Sequence, residues 1–201
     1  MKTTWKRIIT FIICAAVAAP VLCTDAAYAA GKKPPLSVTF DGKSVDMVRV
    51  NGDGDEESAS IDEVVEILGE PDQKEKLDEF YTSYLWENGK SGISFAHYVN
   101  GDTDILCHFG VTLKGKKDVL CGIKTGMKKK TVLRKMKKAY GKDNVGTAKE
   151  GQSFGYKNGK FVAKGKPTGD GEYIIVSAYS YVLNLHFDLK DGRVVSMGFS
   201  S

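Results

Sequence analysis

Cysteine, histidine, proline and tryptophan are scarce in this 201-residue chain, numbering 4, 3, 5 and 2. Beyond residue 22 no long apolar run occurs, which excludes a membrane channel. His97, His108 and His186 fall on three separate predicted strands. They lack the close spacing that pairs metal ligands on a helix or tight loop, so no metal site is expected. Cys107 and His108 cannot act as thiol and base, because adjacent strand residues point to opposite faces. There is no Gly-x-Ser-x-Gly elbow, no P-loop and no Gly-x-Gly-x-x-Gly after a strand, so no cofactor is expected. A hydrophobic content of 42% with 27% charged residues excludes disordered and collagen-like chains.

An address is present at the N-terminus. Lys2, Lys6 and Arg7 precede an apolar stretch from Ile8 to Leu22, and Ala27-Tyr28-Ala29 supplies small residues where a signal peptidase reads. Cys23 offers lipid attachment as an alternative, but Leu22 stands where that processing needs a small residue. Residues 1–29 are therefore read as a signal peptide. The mature chain, of net charge about +2, is expected to be secreted or associated with the cell envelope, with no transmembrane segment. It keeps only Cys107 and Cys121.

Turn dipeptides punctuate that chain. Asp41-Gly42, Asn88-Gly89, Asn100-Gly101, Asn158-Gly159 and Asp191-Gly192 lie between alternating apolar runs, a strong hairpin signal. Residues 30–57 read as a leader, an N-terminal hairpin and an acidic loop, whose resemblance to a calcium loop fails at Glu56 and Asp62. Ser60 and Glu63 form a capping box. Ile61, Val64, Val65 and Leu68 then fall on one helical face, stopped by Gly69 and Pro71. A second helix carries Val132, Leu133, Met136 and Tyr140, and Gly141 ends it.

The helix-ending glycines lie 72 positions apart, and antiparallel strands follow each helix. The expected class is α+β, with a first repeat over 58–124 and a second over 125–201, packed as one body.

The helix signatures carry a resemblance. Gly126-Met127 with Val132 and Met136 resembles the Gly-Met-x4-Val-x3-Leu pattern of SmpA/OmlA-type envelope lipoproteins. Val64-x3-Leu68-Gly69-x-Pro71 resembles the second half of that pattern. Two such units in tandem look like the β-lactamase inhibitor protein architecture. That likeness implies a concave sheet surface and a non-enzymatic, protein-binding role. Ser58-Ala59 replaces Gly-Met in the first unit, and only one cysteine pair is present where the family has one per repeat. Inhibition of a β-lactamase does not carry over.

Three groups of residues are candidates for function. Tyr84, Trp86, Tyr179 and Tyr181 are strand-borne aromatics that form either a sheet binding face or packed core. Cys107 and Cys121 are equidistant from residue 114, so a simple hairpin would set them opposite each other and allow a disulfide. Two free buried thiols are the alternative. Charge is divided by segment. Between 114 and 142 twelve basic residues face only Asp118, about +11, while twelve carboxylates between 53 and 79 give about −10. Lys128, Lys129, Arg134, Lys135 and Lys138 fall on the solvent side of the second helix. They either keep it wet or bind another protein, an anionic envelope polymer or a lipid surface. Aromatics are sparse among them, which disfavours nucleic acid.

The expected function is an exported non-enzymatic binding protein. The alternative is an exported hydrolase of envelope or extracellular polymer using Asp188 or Glu172.

Overall fold

The computed structural model describes residues 33–177, 179 and 184–200. Residues 1–29, expected to be a signal peptide, with Cys23, and the candidate Tyr181, lie outside the described residues.

The chain opens with strands β1 (Leu36–Phe40), β2 (Lys43–Val50) and β3 (Glu56–Ser58), then helix α1 (Ile61–Leu68). Four strands follow: β4 (Gln73–Lys76), β5 (Tyr81–Asn88), β6 (Ser91–Asn100) and β7 (Thr103–Leu113). After short β8 (Val119–Leu120) comes helix α2 (Lys129–Tyr140). The rest is β9 (Val145–Lys149), β10 (Ser153–Lys157), β11 (Lys160–Lys164), β12 (Glu172–Val176), β13 (Asn184–Lys190) and β14 (Arg193–Ser200).

Local chemistry accounts for the element ends. Ser60 Oγ accepts the Glu63 amide at 3.2 Å, and Glu63 Oε2 accepts the Ser60 amide at 3.1 Å, closing the capping box. Gly69, at φ 91°, turns the chain out of α1 while its amide still reaches Val65 O at 2.8 Å. Both residues of Asp41-Gly42, Asn158-Gly159 and Asp191-Gly192 have positive φ, the geometry of tight hairpin turns.

Long-range pairing departs from expectation. Of the described residues, 54% are strand and 14% helix, so the molecule is mostly β rather than two α+β repeats. Strands from both halves merge into one antiparallel sheet of order β4-β5-β6-β7-β14-β13-β12-β9. Its continuity comes from β7 pairing with β14, Val111 opposite Phe199 and Leu113 opposite Met197, across the boundary expected at 124/125. Hairpin signals specify neighbours in sequence; they carry no information on which hairpins join.

The N-terminal hairpin is part of the body. With β3 and β8 it forms a second sheet of order β3-β2-β1-β8, and Leu36, Val38, Met47 and Val48 are fully buried. This sheet and both helices share one hydrophobic core with one face of the large sheet. Trp86 Nε1 donates to Gly69 O at 2.9 Å, which fixes the end of α1 near β5. At the other edge α2 packs on β9 and β12.

Candidate binding surfaces

Alternation along each strand divides the large sheet into a core-facing and an outward-facing set. Tyr84 and Trp86 belong to the first. They are buried, with ring centroids 6.1 Å apart, and both pack on Phe95 at 5.8 and 5.2 Å. Tyr179 is also buried, edge-on to Tyr140. These three aromatics are core, so the binding face expected of them is not formed by them. Their in-phase neighbours Ile93, Phe95 and Phe109 are fully covered as well, and period-2 spacing does not reveal which sheet face is covered.

Cys107 and Cys121 are free thiols. Cys107 on β7 pairs with Ala96 on β6, whereas the Cys121 amide donates to Ser37 O on β1 of the other sheet. The hairpin about residue 114 that would have opposed them does not form. Instead, Asp118 turns the chain between sheets. Its buried carboxylate accepts the Ser91 hydroxyl, the Gly115 amide at 2.8 Å and the Asp41 amide at 3.1 Å. Burial raises both thiol pKa values, that of Cys121 to about 11.

The histidines are dispersed. His97 Nε2 lies 2.6 Å from Asp104 Oδ1, linking β6 and β7. His108 is exposed at φ 51°, where the β6–β7 register slips. His186 lies on the outward face of β13, and burial lowers its pKa against the pull of Asp188. Glu172 pairs with Leu189, and Tyr173 pairs with Asp188. Glu172 therefore points to the core side, where Lys129 Nζ meets it at 2.5 Å, and Asp188 points outward. The two carboxylates of the hydrolase alternative thus lie on opposite faces of the sheet.

On α2, Val132, Met136 and Tyr140 are buried and turn the polar arc outward. Lys128, Lys130, Arg134, Lys135, Lys137 and Lys138 are exposed. Lys135 Nζ reaches Gly122 O at 3.2 Å, and Lys129, expected on the solvent side, is instead half-buried against Glu172. The entry into α2 is held by backbone bonds to β14 and the turn before it: Gly126 N to Val194 O at 2.7 Å and Lys129 N to Gly192 O at 2.9 Å. The cationic face is therefore rigidly placed.

Sequence reading missed that the basic run continues. Lys149, Lys157, Lys160, Lys164 and Lys166 follow, and the β10–β11 hairpin lays the Phe161 ring over Gly146 on the far side of β9. The β9 edge thus carries cations on both sides. The opposite edge carries α1, β4 and their carboxylates, seven strand spacings or ~34 Å away. Among the described residues, no helix is long and apolar enough to cross a membrane. The chain matches no family model, no curated protein and no solved structure.

Proposed function

We propose that this is an exported, non-enzymatic binding protein that docks the cationic face of α2 on an anionic polymer or lipid surface outside the cell, or on an acidic partner protein. Export rests on the N-terminal signal. One observation carries the docking: Lys128, Lys130, Arg134, Lys137 and Lys138 are exposed on a single rigid helix, with no carboxylate in ion-pairing reach among the described residues. Like charges so close repel one another, and the acidic cluster of α1 and β4 lies at the far edge of the sheet, too distant to relieve them. An anionic surface removes that repulsion as it binds.

The test is retention of the mature protein on anionic liposomes, acidic polysaccharide and neutral liposomes at low and high salt. Retention on an anionic support that falls steeply between ~50 and ~300 mM salt is expected. The variant Lys130/Arg134/Lys137/Lys138→Gln should lose it while keeping its unfolding midpoint. Equal retention of variant and wild type would overturn the proposal.

A further inference from the structure

A second surface lies at the edge opposite α2, where the β4–β5 connection meets the β6–β7 turn. Six large hydrophobic residues are exposed among the described residues, and three of them gather here: Leu77 (54%), Phe80 (38%) and Ile105 (42%). Val99 pairs with Asp104 and so faces the other side of the sheet. Backbone bonds hold the segment in place. Leu77 N donates to Tyr81 O at 2.9 Å, and Val99 N donates to Phe80 O at 3.0 Å. Tyr98 stands between the rings of Phe80 and Tyr81, with centroids at 6.1 and 4.9 Å, and it pairs across the strands with both Tyr81 and Ile105.

Carboxylates outnumber the cation Lys76 at the border of this patch. Asp78 and Glu79 lie within the connection, Asp102 lies on the turn, and Asp104 follows on β7, on the sheet face opposite Ile105. Asp78 accepts the amides of Phe80 and Tyr81, both at 2.8 Å, and Asp104 meets His97. None of the four has a Lys or Arg ion-pair partner among the described residues. Contiguous apolar surface with a polar rim marks an interaction site, and the sign of the rim selects the partner.

We infer that this corner binds a cationic amphipathic polypeptide segment of another protein. Aliphatic side chains would cover Ile105 and Phe80, and Lys or Arg groups would meet the rim and the faces of Tyr81 and Tyr98. An anionic membrane is repelled by the same carboxylates. A second copy of this chain fits poorly, because α2 presents cations while its apolar residues Val132, Met136 and Tyr140 are buried.

The experiment titrates the mature protein into labelled peptides of about twelve residues, read by fluorescence anisotropy. One peptide alternates Lys and Leu, one Glu and Leu, one Lys and Ser. Only the Lys-Leu peptide should bind, and salt should weaken it. Phe80→Ser with Ile105→Ser should raise its Kd about tenfold or more, the loss of two apolar anchors. Glu79→Gln with Asp102→Asn should flatten the salt dependence. These four side chains are exposed at the surface, and unchanged unfolding midpoints confirm intact variants. Lys130/Arg134/Lys137/Lys138→Gln should leave the Kd unchanged or lower it, which separates this site from the α2 face. Absent binding, equal affinity for the Glu-Leu peptide, or a Kd indifferent to the Phe80 and Ile105 changes would each overturn the assignment.

Discussion

The phenolic oxygens of Tyr140 and Tyr179 lie 3.0 Å apart in the core, their rings edge-on at 75°. Tyr179 donates its own proton to Pro34 O at 2.6 Å, so Tyr140 is the donor between the two rings. Burial pushes the Tyr140 phenol far above its ordinary pKa, which keeps that donor proton in place. The last residue of α2, the segment after β12 and the chain just before β1 are thereby tied together.

Tyr179→Phe should cost about 1–3 kcal/mol, since it removes the donor to a part-buried carbonyl as well as the Tyr140 contact. Tyr140→Phe should cost less, because the bond to Pro34 survives. Urea unfolding followed by tryptophan fluorescence measures both. A reversed order would refute the direction assigned to the hydrogen bonds.

Cys121 should react sluggishly with an alkylating agent at pH 8 in the folded protein, since its thiol is held at about 11. Under denaturing, non-reducing conditions both Cys107 and Cys121 should alkylate. The linked stability effect has a definite sign. The folded pKa lies above the ordinary value of 9.0, so stability is full below pH 9 and declines as pH rises toward 11. The thiol alone accounts for roughly 2–3 kcal/mol across that window. Cys121→Ala should make the decline shallower, and an unchanged slope would show that the thiol does not titrate there.

Asp118→Ala should destabilise by about 3 kcal/mol or more. It strips the Gly115 and Asp41 amides and the Ser91 hydroxyl of a common buried acceptor. Lys117→Ala, three atoms of chain away but exposed and only 3.8 Å from Asp41, should stay within about 0.5 kcal/mol. Chemical unfolding of the two variants side by side measures the contrast, and equal losses would contradict this assignment for Asp118.

Gly198→Ala should be severe despite an ordinary strand conformation. An added Cβ would stand 2.1 Å from Val111 O and 2.9 Å from the His186 ring. The carbonyl belongs to the β7–β14 seam and cannot yield without opening it. A loss above about 2 kcal/mol is expected, against little at Gly155, where a Cβ meets open space. A thermal melt of each variant checks this.

Much of the local structure was legible in the residues themselves. The Ser60–Glu63 box, the glycines after Leu68 and Tyr140, and the Asp-Gly and Asn-Gly turns act within a few positions, so sequence specifies them directly. Three short strands escaped notice. β3, β4 and β9 carry sequences such as Gln73–Lys76, whose polar residues show no alternation because an edge strand needs none.

The candidate sites divide the same way. Exposure of the lysines on α2 follows from helical spacing around Val132, Met136 and Tyr140, and sequence alone places them. The aromatics did not yield to spacing, because period-2 alternation assigns faces without saying which face is covered. Tyr84 and Trp86 went inward, while exposed Phe80 and half-buried Tyr81 and Tyr98 formed the outer corner.

By itself, then, the sequence determined the helices, their ends, the hairpin turns and the separation of charge along the chain, all of which depend on neighbours within a few positions. Only the tertiary structure decided that β7 joins β14, that Cys107 and Cys121 part company and that the two charge clusters occupy opposite edges. Each of these depends on which distant strands share hydrogen bonds, and a backbone donor pairs equally well with any strand brought beside it; burial of the shared core selects among them.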